Sequence, residues 1–346
     1  MARILRGFGA LGAAVPTHRT AMSAVLVVRP SSLGDIVQAL AIVADIRAHR
    51  PGVVIDWVAE EAFAPLVAID PGVRRVIPVA QRRWRRRPFA AATWREIAAF
   101  RRELRRDAYD TVLDLQEQVK SAVITWHARG PRHGPDRASI REPIATLAHD
   151  HHHAIDPDQH LLDRCRQLAA SALGYRVLGP PRYGLAPPPP AADAPIPDRP
   201  YAVLLHATSR TRKLWPEAHW RALIAAVARA GFASLLPWSN ATERARSERL
   251  AEGEPAARIP PRQTLPELAT LLARAELTVG VDTGLVHLSA ALGTPTVALF
   301  VSTDPRLHGA ERAGPLARDL GGIAAVPTVS DVEDAAGELM RRSPRC

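Results

Sequence analysis

Cysteine, lysine and long apolar runs are all scarce in this chain, and each scarcity excludes something. Two cysteines, Cys165 and Cys346, are too few and too far apart for a disulfide framework or a four-ligand zinc site, and they suit a reducing cytoplasm. No stretch of about eighteen apolar residues exists, which rules out a helical membrane span. The first 21 residues hold no acid and an apolar stretch broken by glycines and Pro16, unlike a secretory signal. They read as an extension outside the fold, with Met22 as an alternative start. Only Lys120 and Lys213 are lysines, so arginine carries nearly all the positive charge. In such a chain a retained lysine hints at a site that wants a compact ammonium rather than a planar fork, although chance survival explains each equally well.

What is present is ordinary in bulk and unusual in charge. With 346 residues, 47% apolar and 23% charged, the chain can bury the cores of two domains, which excludes a disordered tail protein. Its 45 basic and 35 acidic residues leave a net charge of +10, which calls for an acidic partner: nucleic acid, anionic lipid or a phosphorylated ligand.

From Ala24 onward, apolar strand patterns alternate with helical ones. Strands are predicted from Ala24, at 53–59, 73–79 and 111–116, with helices over 35–49 and around 60–69, 93–107 and 117–128. Nine prolines between Gly179 and Pro200 form a linker. The alternation then restarts, with strands at 201–207, 232–237, 276–281 and 296–301 and a closing helix at 331–342. This pattern predicts two α/β domains with parallel sheets, whose ligands sit at the carboxyl ends of strands beside helix N-termini.

Three strand-end loops carry chemistry. In Pro30-Ser31-Ser32-Leu33-Gly34-Asp35, Asp35 opens a helix whose free N–H groups keep a carboxylate ionised, as a proton acceptor or simply as an N-cap. The loop His206–Pro216 supplies hydroxyls, Arg210, Arg212 and Lys213 ahead of a helix, which suits a diphosphate; the competing reading is a solvated polar loop. Val281–Pro295 places Asp282, Thr283, Gly284 and His287 in the first turn of a helix, where Gly284 lets backbone N–H groups approach an anion. As a cap alone, that triplet would be unremarkable.

The DTGLVHLSAALGTPTVALF segment, the VRPSSLGD loop and HATSRTRKLWPEAHW together resemble the ADP-heptose:lipopolysaccharide heptosyltransferases, glycosyltransferase family 9. DWVAEEAF, RVIPVAQRRWRRRPF, LDLQEQVKSA, RHGPD, REPIA and LLPWSNATERARSERLAEG narrow the likeness to the type I branch, which adds the first heptose to the Kdo of lipid A. The resemblance spans roughly 22–310. It implies an α/β fold of GT-B type, two Rossmann-like domains facing across a central cleft. Residues 1–21 would then be the extension, 22–178 the acceptor domain, 179–200 the linker and 201–346 the ADP-heptose domain, with the last helix a candidate to pack back on the first domain.

By motif match, the resemblance places Thr208, Ser209, Lys213, Asp282, Thr283, Gly284 and His287 at the diphosphate and sugar of ADP-heptose. Glu243 falls at the ribose and Gln263 near the adenine; Asp35 and Lys213 would be catalytic. Acceptor contacts fall on Ser32, Gly34, Arg82, Arg83, Arg85, Arg86, Lys120 and Arg141. The implied reaction is an inverting transfer of L-glycero-D-manno-heptose onto Kdo-lipid A: Asp35 takes the acceptor proton, and Lys213 with the helix N-terminus stabilises departing ADP without a metal or other cofactor. A monomer at the cytoplasmic face of the inner membrane is expected, with the Arg82–Arg87 cluster and Trp84 meeting Kdo carboxylates, lipid A phosphates and the anionic membrane surface. The competing readings are a type II enzyme acting on a heptosylated core, a nucleotide-sugar epimerase of the same architecture, and a nucleic-acid binder, for which no binding module surrounds the arginines. The tract His149–His153 lacks the spacing of a catalytic metal site and reads as an acceptor-side loop.

Overall fold

The computed structural model describes residues 23–344, so the 1–21 extension and the Met22 start lie outside the described residues. Two six-stranded sheets are built in turn. The first contains β1 (Ala24–Val28), β2 (Val54–Glu60), β3 (Val73–Val79), β4 (Thr111–Asp114), β5 (Arg132–Pro135) and β6 (His151–His153), in the order β3-β2-β1-β4-β5-β6. The second contains β7 (Tyr201–Leu205), β8 (Ala233–Leu235), β9 (Ala257–Arg258), β10 (Leu277–Val281), β11 (Thr296–Phe300) and β12 (Ala317–Gly321), in the order β12-β11-β10-β7-β8-β9. Every strand pair is parallel. In each sheet the first strand lies centrally and the order reverses beside it, which opens a crevice between β1 and β4 and another between β7 and β10.

The central strands are continuous apolar runs because both faces of each sheet are covered. Val25 to Val28 are fully buried, as are Val279 and Val281. Helices with apolar stripes close both faces, giving each sheet two packed layers of core. The helix Leu33–His49 lies against both halves of the molecule, since its Val37 joins the core cluster built mainly from the second sheet.

Several elements depart from the sequence expectation. The helix Leu161–Leu173, which stops at Gly174 in the left-handed conformation, is not among the elements expected from sequence, and it packs on Leu33–His49 through a buried ion pair. Arg166 bridges both oxygens of Asp45 at 2.7 and 3.1 Å, and stripping one partner from such a buried pair costs about 3–5 kcal/mol. His151–His153 is an edge strand paired with β5, not a loop. The closing helix Val329–Arg342 does not return to the first domain. Its Val332, Ala335, Ala336 and Leu339 instead join the core of the second sheet. The proline-rich stretch forms no helix or strand, but Tyr183 and Leu185 pack against the cores of both sheets and so help join them.

The two halves meet where the helices Leu33–His49 and Gly284–Ala291 begin. A Cβ on Gly284 would lie 2.6 Å from Leu33 Cγ and 2.7 Å from the Gly34 backbone nitrogen, while one on Gly34 would lie 2.8 Å from His287 Cδ2. Only glycine at both positions lets the helix ends approach this closely. Gly284→Ala should therefore destabilise the molecule by about 1–3 kcal/mol, read as a lower midpoint in thermal unfolding; an unchanged midpoint would show that the helix ends separate freely.

Candidate active site

Asp35 reaches the cleft because β1 ends at Val28 and the chain turns through Arg29 to Ser32 before the helix starts. Ser32 is the N-cap and Asp35 is the third residue of the same capping box, so Asp35 helps cap the helix from its first turn and is not the N-cap residue itself. Its carboxylate accepts the Ser32 N–H at 3.1 Å and pairs with Arg29 at 3.2 Å. Arg29 is buried and also donates to the Leu115 carbonyl. Burial pushes the Asp35 pKa up, but Arg29, the Ser32 N–H and His308 outweigh it and hold the carboxyl below its ordinary value. The group is ionised at neutral pH.

Across the cleft, β10 ends at Val281 and Thr283 caps the helix Gly284–Ala291. Asp282 projects toward the one-turn 3₁₀ helix Thr211–Lys213 that follows β7. Its Oδ2 accepts from Lys213 Nζ at 2.5 Å and from the Thr303 hydroxyl at 2.6 Å. The Thr208 hydroxyl donates to the Asp282 carbonyl at 3.3 Å. Burial raises the Asp282 pKa, whereas the Lys213 and Thr303 hydrogen bonds lower it further, so the carboxylate is retained. Thr208, Lys213, Asp282, Thr283 and Gly284 thus gather at one spot, with exposed Ser209 adjoining Thr208. The cluster offers a compact cation, hydroxyls and a helix N-terminus, the elements that bind a diphosphate.

His287 is buried, and burial drives its pKa down to about 4 against the opposing pull of Asp282 and Asp35. Gln38 Nε2 lies 3.2 Å from His287 Nδ1, so the amide donates, the ring accepts, and the neutral ring carries its proton on Nε2. His287 is therefore a neutral donor in the cleft and not a cation for phosphate. Glu243 follows β8 and Gln263 follows β9, on the same carboxyl rim as Lys213 and Asp282. The Glu243 carboxylate accepts from the Ser239 N–H and hydroxyl at 2.7 Å and from Asn240 Nδ2 at 2.8 Å, which fixes its position at the helix start. Gln263 Nε2 donates to the Pro261 carbonyl at 2.9 Å.

On the first-domain side, Lys120 Nζ donates to the Ser31 hydroxyl at 3.0 Å. Burial, followed by Arg85, Arg29 and Arg82, lowers its pKa, while Asp35 opposes them. Lys120 and Arg85 line a cavity of about 520 Å³ together with Gln81, Trp84, Gln118 and Glu142. Arg82 stacks on the Phe63 ring at 5.0 Å. Arg86 and Arg141 are exposed, Arg141 beside Glu142 of the cavity wall, and Ser32 and Gly34 lie at the start of the helix that carries Asp35.

Two residues of the Arg82–Arg87 stretch are held by neighbouring acids. Arg83 is held by Glu61 at 2.9 Å and Glu96 at 2.7 Å, so its charge is already matched. Trp84 is turned inward, donating its indole N–H to Glu96 at 2.8 Å and meeting Phe100 edge-on. Four residues escaped the sequence reading: Arg29, Gln38, Thr303 and His308, whose ring feels both Asp35 and Asp282. Gln38 lies one turn beyond Asp35, a spacing that could have flagged it. Thr303 and His308 follow β11 in a loop with no motif.

A sequence model of the family described as glycosyltransferase family 9 (heptosyltransferase) matches residues 97–325. Lipopolysaccharide heptosyltransferase 1 of Salmonella typhimurium is 44% identical over 287 residues, covering 82% of this chain and 90% of that protein. Among solved structures, E. coli heptosyltransferase WaaC with ADP superposes with a TM-score of 0.85 at 39% identity, over 91% of this chain and 99% of that one. The same E. coli protein with ADP-2-deoxy-2-fluoro heptose gives a TM-score of 0.82 over the same shares, again at 39% identity. The two facing parallel-sheet domains are thus of GT-B type, and the chain belongs to glycosyltransferase family 9, the heptosyltransferases.

Proposed function

We propose that this chain transfers L-glycero-D-manno-heptose from ADP-heptose to the Kdo of Kdo-lipid A, with inversion at the anomeric carbon, in synthesis of the lipopolysaccharide inner core. The observation that carries this reading is the approach of Asp35 to the Lys213–Asp282 cluster across two abutting helix N-termini. Donor and base are thereby set on opposite walls of one cleft. Residues 201–346 hold the donor: Lys213, Thr208, Ser209 and the backbone at Thr283 and Gly284 take the diphosphate, Glu243 the ribose, Gln263 the adenine edge, and neutral His287 donates to the sugar or its phosphate. Residues 22–178 hold the acceptor, with Lys120, Arg82, Arg85, Arg86 and Arg141 meeting its carboxylates and phosphates.

Asp35, ionised by its surroundings, accepts the proton of the Kdo hydroxyl as that oxygen bonds to the anomeric carbon and the bond to the diphosphate breaks. ADP leaves with the bonding electrons. Lys213 and the helix N-terminus meet the charge that grows on the leaving oxygen. Both walls come from one polypeptide, so a monomer at the cytoplasmic face of the inner membrane suffices.

The test is ADP release and product mass with ADP-heptose and three acceptor conditions: Kdo-lipid A, a heptosylated core, or none. Turnover only with Kdo-lipid A is expected; turnover without acceptor would indicate an epimerase or hydrolase, and preference for the heptosylated core would indicate a later step. Asp35→Asn preserves the hydrogen bond to the Ser32 N–H but cannot take up the proton, so turnover should fall by about 10²- to 10⁴-fold with little change in unfolding midpoint. Near-parental turnover would move the base elsewhere. Lys213→Ala should lower turnover by about 100-fold or more, with Lys213→Arg restoring only part, because a planar guanidinium does not fill the place of a compact ammonium.

A further inference from the structure

Exposed apolar side chains concentrate on two adjoining elements outside the cleft. Val119, Val123 and Trp126 recur at intervals of four and three along the helix Val119–His127, on one face, and are 43%, 55% and 56% exposed. Ile144 and Leu147, 63% and 76% exposed, stand on the 3₁₀ helix Pro143–Ala148 packed beside it. The two elements are tied by the Val119 N–H donating to Glu142 at 2.8 Å, and they already share a small core of Ala122, Ala145 and Ala148 with Ile140. Their own packing is therefore complete without the five outer side chains. A contiguous apolar surface left over after packing calls for a partner.

The charge around these residues has one sign of excess. Lys120 belongs to the helix and Arg141 precedes the 3₁₀ helix, and neither forms an ion pair among the described residues, whereas the Arg132 guanidinium over the Trp126 ring at 4.6 Å is matched by Asp150 at 2.6 Å. Gln118, Lys120 and Glu142, from the inner ends of the same two elements, line the cavity shared with Arg85. The apolar face thus begins where the cavity for an anionic head group ends.

We propose that this face inserts into the head-group and acyl boundary of a bilayer containing anionic lipid, with Val119, Val123, Trp126, Ile144 and Leu147 in the apolar layer and Lys120 and Arg141 at the phosphates. The assignment rests on the reading of the acceptor as a lipid-anchored glycan. It relocates the membrane contact from Trp84, which is turned inward, to Trp126. A second copy of the chain would bring the same cations against each other, and the first 21 residues of the chain carry no acid to match them. Anionic lipid supplies both the apolar and the acidic complement.

Sedimentation of the full chain with phosphatidylcholine vesicles, with and without phosphatidylglycerol, tests the assignment. The parent should sediment with the anionic vesicles, and the double variant Val123→Glu, Leu147→Glu should lose at least about tenfold in partition while keeping the parental circular dichroism spectrum. Turnover of a deacylated, water-soluble acceptor should be equal in the two proteins, and that assay judges the transferase reading independently of the vesicles. Equal sedimentation of parent and variant would overturn the proposal. So would a parental dimer in ultracentrifugation that the variant abolishes, which would give the face to a second copy, or stronger vesicle binding after deletion of residues 1–21, which would give it to that segment.

Discussion

The contact between Gly34 and Gly284 is the constraint on which the rest of the molecule depends. Each glycine stands in the first turn of a helix that follows a central strand of its own sheet, so their approach brings the carboxyl edges of both sheets together. It also aims two positive helix ends at one another, an arrangement that costs energy unless negative charge lies between them. Asp35 and Asp282 provide that charge, one from each half, and both are held ionised by their neighbours despite burial. Their environment accordingly favours anions.

Preorganisation in the second domain rests on Asp282. Its carboxylate holds Lys213 and Thr303 from two other strand ends, after β7 and β11, so three loops are fixed by one side chain. The ammonium is thereby kept at the helix N-terminus before a ligand arrives, and little of its rotamer freedom remains to be lost on binding. In the first domain, Arg29 holds Asp35 as Asp282 holds Lys213, from a guanidinium anchored beneath the loop.

What the sequence made legible followed from local rules. Central strands such as Ala24–Val28 and Tyr201–Leu205 are unbroken apolar runs and Leu277–Val281 is nearly so, and the loops after them contain glycines, prolines and caps whose spacing exposes Asp35, Lys213 and Asp282. The strand β5 and the edge strands β6 and β9 are short and rich in histidine, arginine or proline, so no period of two could emerge. The inward turn of Trp84 depends on Glu96, twelve residues on, and the orientation of the His287 ring depends on Gln38, 249 residues away in sequence. The first pairing arises only once the first domain has packed, and the second only when the two sheets face each other. The closing helix illustrates the same limit, because its apolar stripe fits any core and only packing selects the second sheet.

Net charge likewise says little until its partners are known. Arg74 and Arg75 share Asp56, Arg132 takes Asp150, and Arg166 takes Asp45, so much of the arginine excess is spent inside the fold. Among the described residues, Arg82, Arg85 and Arg86 form no ion pair, and they stand at the mouth of the cleft. The two lysines are more telling than the arginines. Lys213 grips Asp282, and Lys120 reaches Ser31 within the field of Asp35. A guanidinium at either place would satisfy the charge but would spread it over a planar fork with fixed directions. Where phosphate or carboxylate oxygens must be met from several directions, a point charge with three rotatable donors is the better fit.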